Sequence, residues 1–383
     1  VAVIVVVIVV VIAAISMDWL SSARSPLLNT GSSALISSPS KSPTVRVAGQ
    51  DVKVWNDDLF QKVRALHGVP DNFLDNNDPA QAAIDLHRPR PESVNGKGGG
   101  AQFSTRDGQF IVKAVSADDQ KTLLQLTGEL VERLLRGQTL LCPIYLHFVD
   151  PHTEQCYIAM ANLTQAGNWS AKYDLKGCAD DKTLEENGKM IVPVRRRFWR
   201  ADMWCRCAWT PPRWRYWQGK ERARALKLRL AGPQRDEAVR LIASDAEWLS
   251  EQGIMDYSLL LGVRRLSASA AAACGVEAAA GVVHSVGSSA VAAGRRFAMV
   301  DQSTGELLLV TMGVIDFLQP WTLPKKAAQC IKGLEFNKAT IPPPLYGARF
   351  ARHFKERLQS EESFQAQSDD VAMKADLWCI EHC

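Results

Sequence analysis

Two strand-length apolar runs in this chain each contain a single aspartate, and that feature restricts the fold more than any other. The first is Ile254-Met255-Asp256-Tyr257-Ser258-Leu259-Leu260-Leu261, and the second is Val314-Ile315-Asp316-Phe317-Leu318. A buried carboxylate is costly unless it meets a cation or a metal. A fold that buries both runs must therefore bring such partners to Asp256 and Asp316. Helix caps or plain salt bridges would meet the same requirement.

One cation stands in a comparable setting. Lys113 follows Phe110, Ile111 and Val112 and precedes Val115, so it either finds an anion inside the fold or lies on the wet side of an amphipathic strand. Upstream lies a glycine cluster with one lysine: Gly96, Lys97, Gly98, Gly99 and Gly100. Glycines let the backbone approach phosphate oxygens closely. The spacing matches neither G-x-x-x-x-G-K-[ST] nor G-x-G-x-x-G, so by itself the cluster reads first as a turn. A glycine loop, a strand, an inward lysine and two carboxylates are nevertheless the parts that Mg²⁺-dependent phosphoryl transfer from ATP requires. One carboxylate can orient or deprotonate the attacking hydroxyl, and the other can hold the metal.

The segments around these residues give an α+β pattern. A helical stretch begins near Asp57, and Asp/Asn/Pro-rich sequence follows it. Strands are expected around Phe110–Val115, Leu140–Asp150 and Gln155–Leu163, with a helix over Ala117–Gly137. A second helix, near Arg235–Gly253, carries Ala238, Leu241, Ile242, Trp248 and Leu249 on one face and runs into the Asp256 segment. An Ala/Ser/Gly-rich stretch then precedes a strand pair ending at Asp316. The composition, 46% hydrophobic and 22% charged, is that of a folded protein, and a net charge of +4 assigns no partner. Nine cysteines without a C-x-x-C pair argue against a disulfide framework and a structural zinc site.

Taken together, IMDYSLLLGV, VIDFLQ, YDLKG and the Gly96-Lys97-x-Gly99 cluster leading to Asp107-x-x-Phe110-x-x-Lys113 resemble the phosphatidylinositol phosphate kinases. The resemblance extends to FQKVRALHGVPDNFLDNN upstream and PPPLYGARFARHF downstream. It implies an α+β, two-lobed fold distantly like that of protein kinases, with antiparallel sheet and packed helices. It also implies ATP and Mg²⁺ as cofactors. Carried over residue by residue, Lys113 corresponds to the ATP-phosphate lysine, Asp256 to the catalytic aspartate and Asp316 to the Mg²⁺ ligand. Asp174 and Lys176 of YDLKG correspond to polar groups beside the transferred phosphate, and Gly96–Gly100 with Lys97 to the nucleotide loop. Lys325, Lys326 and Ala328 fall in the family's lipid-selecting activation loop. Ala328 resembles the 4-kinases, whereas Phe317-Leu318-Gln319-x-Trp321 resembles the 5-kinases. The expected reaction is therefore phosphatidylinositol 4-phosphate to the 4,5-bisphosphate, with phosphatidylinositol 5-phosphate 4-kinase or a catalytically weak membrane scaffold as alternatives.

The sequence departs from the family pattern at several places. Cys178 and Lys182 replace the usual Ser and Arg after YDLKG, Ala101 and Gln102 replace aromatics, and Asp119 stands for a helix glutamate. Between Arg195 and Arg224, ten Lys/Arg face two acids and are interleaved with five tryptophans, where an acidic segment is usual.

The organisation expected is as follows. Residues 1–20 form a truncated transmembrane helix, because their apolar run is shorter than the roughly 20 residues a span needs and a buried strand is its alternative. Residues 21–51 form a flexible Ser-rich linker. The kinase domain covers 52–360, with an ATP lobe at 52–170 and a lipid lobe at 171–360 carrying insertions at 183–225 and 265–295, and a tail follows at 361–383. The expected partners are ATP and a phosphoinositide at the cytoplasmic face of a membrane. No nucleic acid is expected, and homodimerisation is left open.

Overall fold

The computed structural model describes residues 45–75, 101–165, 169–194, 206–230, 232–266, 295–300, 307–322, 325 and 339–360. The expected membrane helix at 1–20, most of the linker, the glycine cluster Gly96–Gly100 with Lys97, and Lys326 and Ala328 lie outside the described residues. So does most of the expected insertion at 265–295.

The first lobe is a six-stranded antiparallel sheet carrying two helices. Its strands are β1 (Val45–Val47), β2 (Gln50–Val54), β3 (Gln102–Ser104), β4 (Phe110–Ala114), β5 (Ile144–Val149) and β6 (Cys156–Ala161), in the order β1-β2-β5-β6-β4-β3. The described residues thus begin with β1 at Val45, inside the span expected to be linker. Alternating Val45 and Val47 pair with β2 across a two-residue turn, Ala48-Gly49, in which both residues have positive φ (51° and 80°). That is the backbone a tight hairpin demands. Helix α1 (Asp57–Leu66) buries Phe60 and Val63, and also Arg64. The Arg64 guanidinium is satisfied by Asp57 at 2.8 Å, Asp71 at 2.9 Å and the Tyr145 carbonyl at 2.7 Å. Helix α2 (Ala117–Leu135) starts at Ser116, whose side chain accepts from the Asp119 amide at 3.2 Å. It then buries Leu123, Leu126, Leu130 and Leu134 at helical spacing.

The second lobe comprises β7 (Ala171–Leu175), β8 (Lys182–Glu186), β9 (Lys189–Met190), α3 (Pro211–Ala225), β10 (Leu228–Leu230), α4 (Gly232–Glu251), β11 (Ser258–Arg265), β12 (Arg295–Val300), β13 (Leu307–Ile315), α5 (Pro343–Arg357) and β14 (Leu358–Ser360). Its main sheet runs β12-β13-β11-β7-β8-β9, and β10 pairs with β14 in parallel. Part of the expected insertion at 183–225 is integral to this sheet. β8 pairs with β7, and α3 seats on β8, where Thr183 donates to the Gly219 carbonyl at 2.7 Å. Cys142, Cys156 and Cys178 are free thiols, whereas Cys207 is disulfide-bonded.

The lobes are joined by main-chain hydrogen bonds. Segment Leu140–Cys142 runs beside β13, with the Cys142 amide donating to the Val314 carbonyl at 2.9 Å and the Val314 amide to Leu140 at 2.6 Å. Asp245 of α4, 1% exposed, locks this junction. Its carboxylate accepts from the Leu140 amide (2.6 Å), Thr139 (2.7 Å) and Arg133 (3.0 Å). Among the described residues no helix is long and apolar enough to cross a membrane.

Candidate active site

Antiparallel pairing in the second sheet gathers three charged residues at one edge. Ser258 pairs with Ile315 and Leu259 with Leu175, so the start of β11 lies beside the ends of β13 and β7. Asp256 lies two residues before β11, Asp316 follows β13, and Lys176 follows β7. Both aspartates adopt left-handed backbone, with φ of 66° and 61°. Aspartate tolerates this conformation better than most L-residues. Two hydrogen bonds hold the two turns against each other: the Met255 amide to Gln319 at 3.1 Å and the Trp321 amide to Gly253 at 3.0 Å.

The charges pair across this edge. Lys176 bonds the Asp256 carboxylate and also the Asp256 carbonyl at 2.6 Å. Burial pulls the Lys176 ammonium down, but Asp256, Asp174 and Asp316 together outweigh it and hold the group above its ordinary value. Asp174 faces inward on β7, opposite Lys182 on β8, and the two form an ion pair at 2.7 Å. Burial pushes the Asp174 carboxyl up, yet Lys182 and Lys176 prevail and leave it below the usual carboxylate range. From the other lobe, Lys113 spans the cleft to Asp316 at 2.5 Å. Asp119 borders the same cleft, but the Lys113 ion pair is with Asp316.

Above these charges lies an interlobe cleft that is open to solvent. Val115, Ile144, Ile158, Met160, Phe317 and Leu318 supply its apolar walls. Lys113 and Ile158 are register partners on β4 and β6, which sets the ammonium directly beside that apolar surface. The shape suits a flat heterocycle with a charged tail leading to Lys113. Among the described residues no three His, Cys, Asp or Glu side chains converge as a metal cage. Asp316 is instead a single carboxylate, 39% exposed, at the cleft mouth. This donor set fits Mg²⁺, which characteristically takes one or two carboxylates and completes its shell with phosphate oxygens and water.

Against this geometry, a family model for phosphatidylinositol-4-phosphate 5-kinase matches residues 87–357, more than half of the chain. The chain belongs to that family. It is 27% identical over 219 residues to phosphatidylinositol 5-phosphate 4-kinase type-2 gamma of Danio rerio, covering 56% of this chain and 46% of the relative. It is also 27% identical over 177 residues to phosphatidylinositol 4-phosphate 5-kinase its3 of Schizosaccharomyces pombe, covering 45% of this chain and 21% of the relative. A probable phosphatidylinositol phosphate kinase of Dictyostelium discoideum shares 26% over 173 residues, 44% of this chain and 21% of that protein. The chain thus spans about half the length of the zebrafish relative and about a fifth of the other two.

Of the family positions named from the sequence, the structure brings together Lys113, Asp174, Lys176, Asp256 and Asp316. Lys325 lies at the rim of this group. Its ammonium donates to the Pro320 carbonyl at 2.9 Å and to Gln319 at 3.2 Å, and burial lowers its pKa against the opposing pull of Asp256, Asp119 and Asp118. One contributor was not foreseen. Asp181, 1% exposed, accepts from the Lys176 amide at 2.6 Å and the Cys178 amide at 3.3 Å, fixing the turn that aims Lys176. Its second oxygen lies 3.4 Å from His353 Nε2 on α5. Gly177 completes that turn at φ 70°, where a Cβ would stand 3.2 Å from the His353 side chain. The only sequence signal for Asp181 is an acid shortly after a glycine turn, which is common on surfaces.

Proposed function

We propose that this chain transfers the γ-phosphate of ATP to the inositol ring of phosphatidylinositol 4-phosphate, giving the 4,5-bisphosphate. The observation that carries the proposal is the convergence of Lys113, Lys176, Asp256 and Asp316 from both lobes onto one apolar-walled cleft. The adenine lies against Val115, Ile158, Met160 and Leu318. Lys113 and the Gly96–Gly100 loop with Lys97 hold the phosphates. Asp316 would hold Mg²⁺, which supplies neutralisation of the phosphate charge when bound.

Asp256 accepts the proton of the attacking hydroxyl as the new oxygen–phosphorus bond forms and the bond to the ADP oxygen breaks. Lys176, held to Asp256 and anchored near Asp174, orients that carboxylate and stands ready to meet a phosphoryl oxygen. Lys325 and Lys326 attract the monophosphate headgroup, each contributing about 1 kcal/mol beside an anionic surface. Ala328 would lie on the same loop.

The choice of the 5-position rests on Phe317-Leu318-Gln319-x-Trp321, which resembles the 5-kinases. A second reading, phosphorylation of the 4-position of phosphatidylinositol 5-phosphate, is favoured by Ala328 and by the name of the zebrafish relative. The deciding assay supplies labelled ATP and vesicles carrying either monophosphate, with Asp316→Ala in parallel. Turnover on the 4-phosphate that is lost in the variant is the expected result. Turnover on the 5-phosphate alone would move the assignment to the second reading. Silence on both lipids would leave a membrane scaffold.

A further inference from the structure

The Trp/Arg segment is not used by the reaction above, and its described part has a definite shape. Helix α3 lies with Gly219 and Ala223 against β8 and its surroundings. A Cβ on Gly219 would stand 3.3 Å from Ile191 and 3.4 Å from Thr183, and the Ala223 carbonyl accepts from Arg357 at 2.6 Å. With successive residues about 100° apart on a helix, Trp214 and Trp217 fall on the side opposite Gly219 and Ala223. Their rings do not join the core. They pack edge-on with Trp209, at centroid separations of 4.9 Å (Trp209–Trp214), 6.0 Å (Trp209–Trp217) and 5.7 Å (Trp214–Trp217). Arg206 lies 4.9 Å over Trp217 and Arg213 lies 5.0 Å over Trp209.

Charge on this element is strongly one-sided. From Arg206 to Ala225 there are six Lys/Arg and one acid, Glu221, which is already bound to Arg224 at 2.8 Å. Indole rings clustered among guanidinium groups suit the headgroup layer of an anionic bilayer, where the ring is half-wetted and the cations meet lipid phosphates. A nucleic-acid strand would need open ring faces on which to stack bases. Here the faces of Trp209 and Trp217 are covered by guanidinium groups and neighbouring indoles.

We infer that the outer side of α3, built on Trp209, Trp214 and Trp217 with Arg206 stacked on the rings and the exposed Arg215 at the flank of the helix, docks this chain on the surface of an anionic lipid bilayer. The docking goes beyond the proposed phosphoryl transfer and rests on that reading only for the choice of a lipid surface. It also has a structural route to the site. The inner face of α3 packs on β8, the strand that carries Lys182 opposite Asp174, so a docked helix holds this edge of the catalytic sheet next to the membrane.

The test uses the full chain without ATP, so its outcome does not depend on turnover. Binding is measured by co-sedimentation with vesicles of phosphatidylcholine alone or with added phosphatidylserine. Indole insertion is read by quenching from brominated phosphatidylcholine. The expected result is binding that requires phosphatidylserine, with quenching that is lost in Trp214→Ala/Trp217→Ala. The surface pair Arg206→Gln/Arg215→Gln, which leaves the helix core intact, should weaken binding about fivefold per cation removed. Absence of quenching in the wild type, quenching unchanged in the Trp variant, or tighter binding to a single-stranded oligonucleotide than to vesicles would overturn the inference. Turnover on a short-chain soluble lipid is followed alongside. Turnover without vesicle binding sinks the docking face alone, and vesicle binding without turnover sinks the kinase reading alone.

Discussion

Removing Lys182 should reveal how much the site edge depends on one buried ion pair. Lys182 and Asp174 are 18% and 9% exposed and meet at 2.7 Å, while Asp174 Oδ1 has no hydrogen-bond partner. Lys182→Met leaves the Asp174 carboxylate buried with Lys176 as its nearby cation and Ser258 beside it. Breaking a buried pair from one side costs about 3–5 kcal/mol, and the remaining attraction to Lys176 argues for the lower end, about 3 kcal/mol. For a lobe of this size that corresponds to roughly 6–12 °C in the thermal midpoint, followed by circular dichroism at pH 7. Lys182→Arg, the residue usual in the family, should retain full stability, and its fork can reach both carboxylate oxygens. Asp174→Asn added to Lys182→Met should recover part of the loss, because the uncompensated charge is then gone.

The pH dependence follows from the two shifts. Asp174 is held below its ordinary 3.8, so its contribution is complete above that value and is lost as pH falls through the lower folded-state value. Lys182 is depressed by burial but raised further by Asp174, ending above 10.5, so its contribution is complete below that value and is lost as pH rises beyond it. The difference between wild type and Lys182→Met should therefore be flat across neutral pH and shrink at both extremes. A Lys182→Met midpoint equal to that of the wild type, or a double variant whose losses simply add, would refute the argument.

Two further outcomes follow from the same packing. Asp181→Ala frees the Lys176 and Cys178 amides and should lower kcat by about tenfold or more with little change in the KM for ATP, while Asp181→Asn, which keeps one acceptor, should recover most of the rate. Gly347→Ala places a methyl 2.8 Å from the Ala246 carbonyl where α5 crosses α4. Overpacking of this kind costs about 1–3 kcal/mol and should appear as a lowered thermal midpoint with an unchanged KM for ATP.

The residues that could be read from the sequence share one property: each is a charge in a segment whose neighbours are all apolar. Asp256, Asp316 and Lys113 were visible for that reason, and the strand and helix periods around them located β4, α2, β5, β6, α4 and β13. What escaped the sequence depends on distance along the chain. The Lys113–Asp316 contact joins residues 203 positions apart, and Asp119, much closer in sequence, had been the expected helix acid. Asp245 lies among ordinary helix acids, and its burial is apparent only once Arg133, Thr139 and the Leu140 amide surround it from more than a hundred residues away. β1 was missed because two valines after a Ser-rich stretch look like linker until the tight Ala48-Gly49 turn pairs them with β2. Asp181 carries no local mark, since its importance comes from the backbone it holds.

The left-handed backbone at Asp316 offers a separate test of the site's geometry. At φ 61° an L-residue with a Cβ is strained by about 1–2 kcal/mol, whereas glycine is not. Glycine in turn gives back about 0.4–1 kcal/mol through the greater freedom of its unfolded chain. Both Asp316→Gly and Asp316→Ala remove the Lys113 ion pair, whose partners are 35% and 39% exposed, so screening limits its contribution and the loss is common to the two variants. The difference between them then isolates the backbone, and Asp316→Gly should be the more stable by about 1 kcal/mol, or roughly 2–4 °C for a lobe of this size. Both should lose turnover together, by about 10²–10³-fold, because the carboxylate is absent from each. An Asp316→Ala variant as stable as Asp316→Gly would mean that Asp316 does not hold this backbone, and the pairing of its turn with that of Asp256 would have to be redrawn. If the order holds, the aspartate at this position is retained at a cost in stability that a glycine would avoid, which places the reason for its presence in its carboxylate and not in the fold.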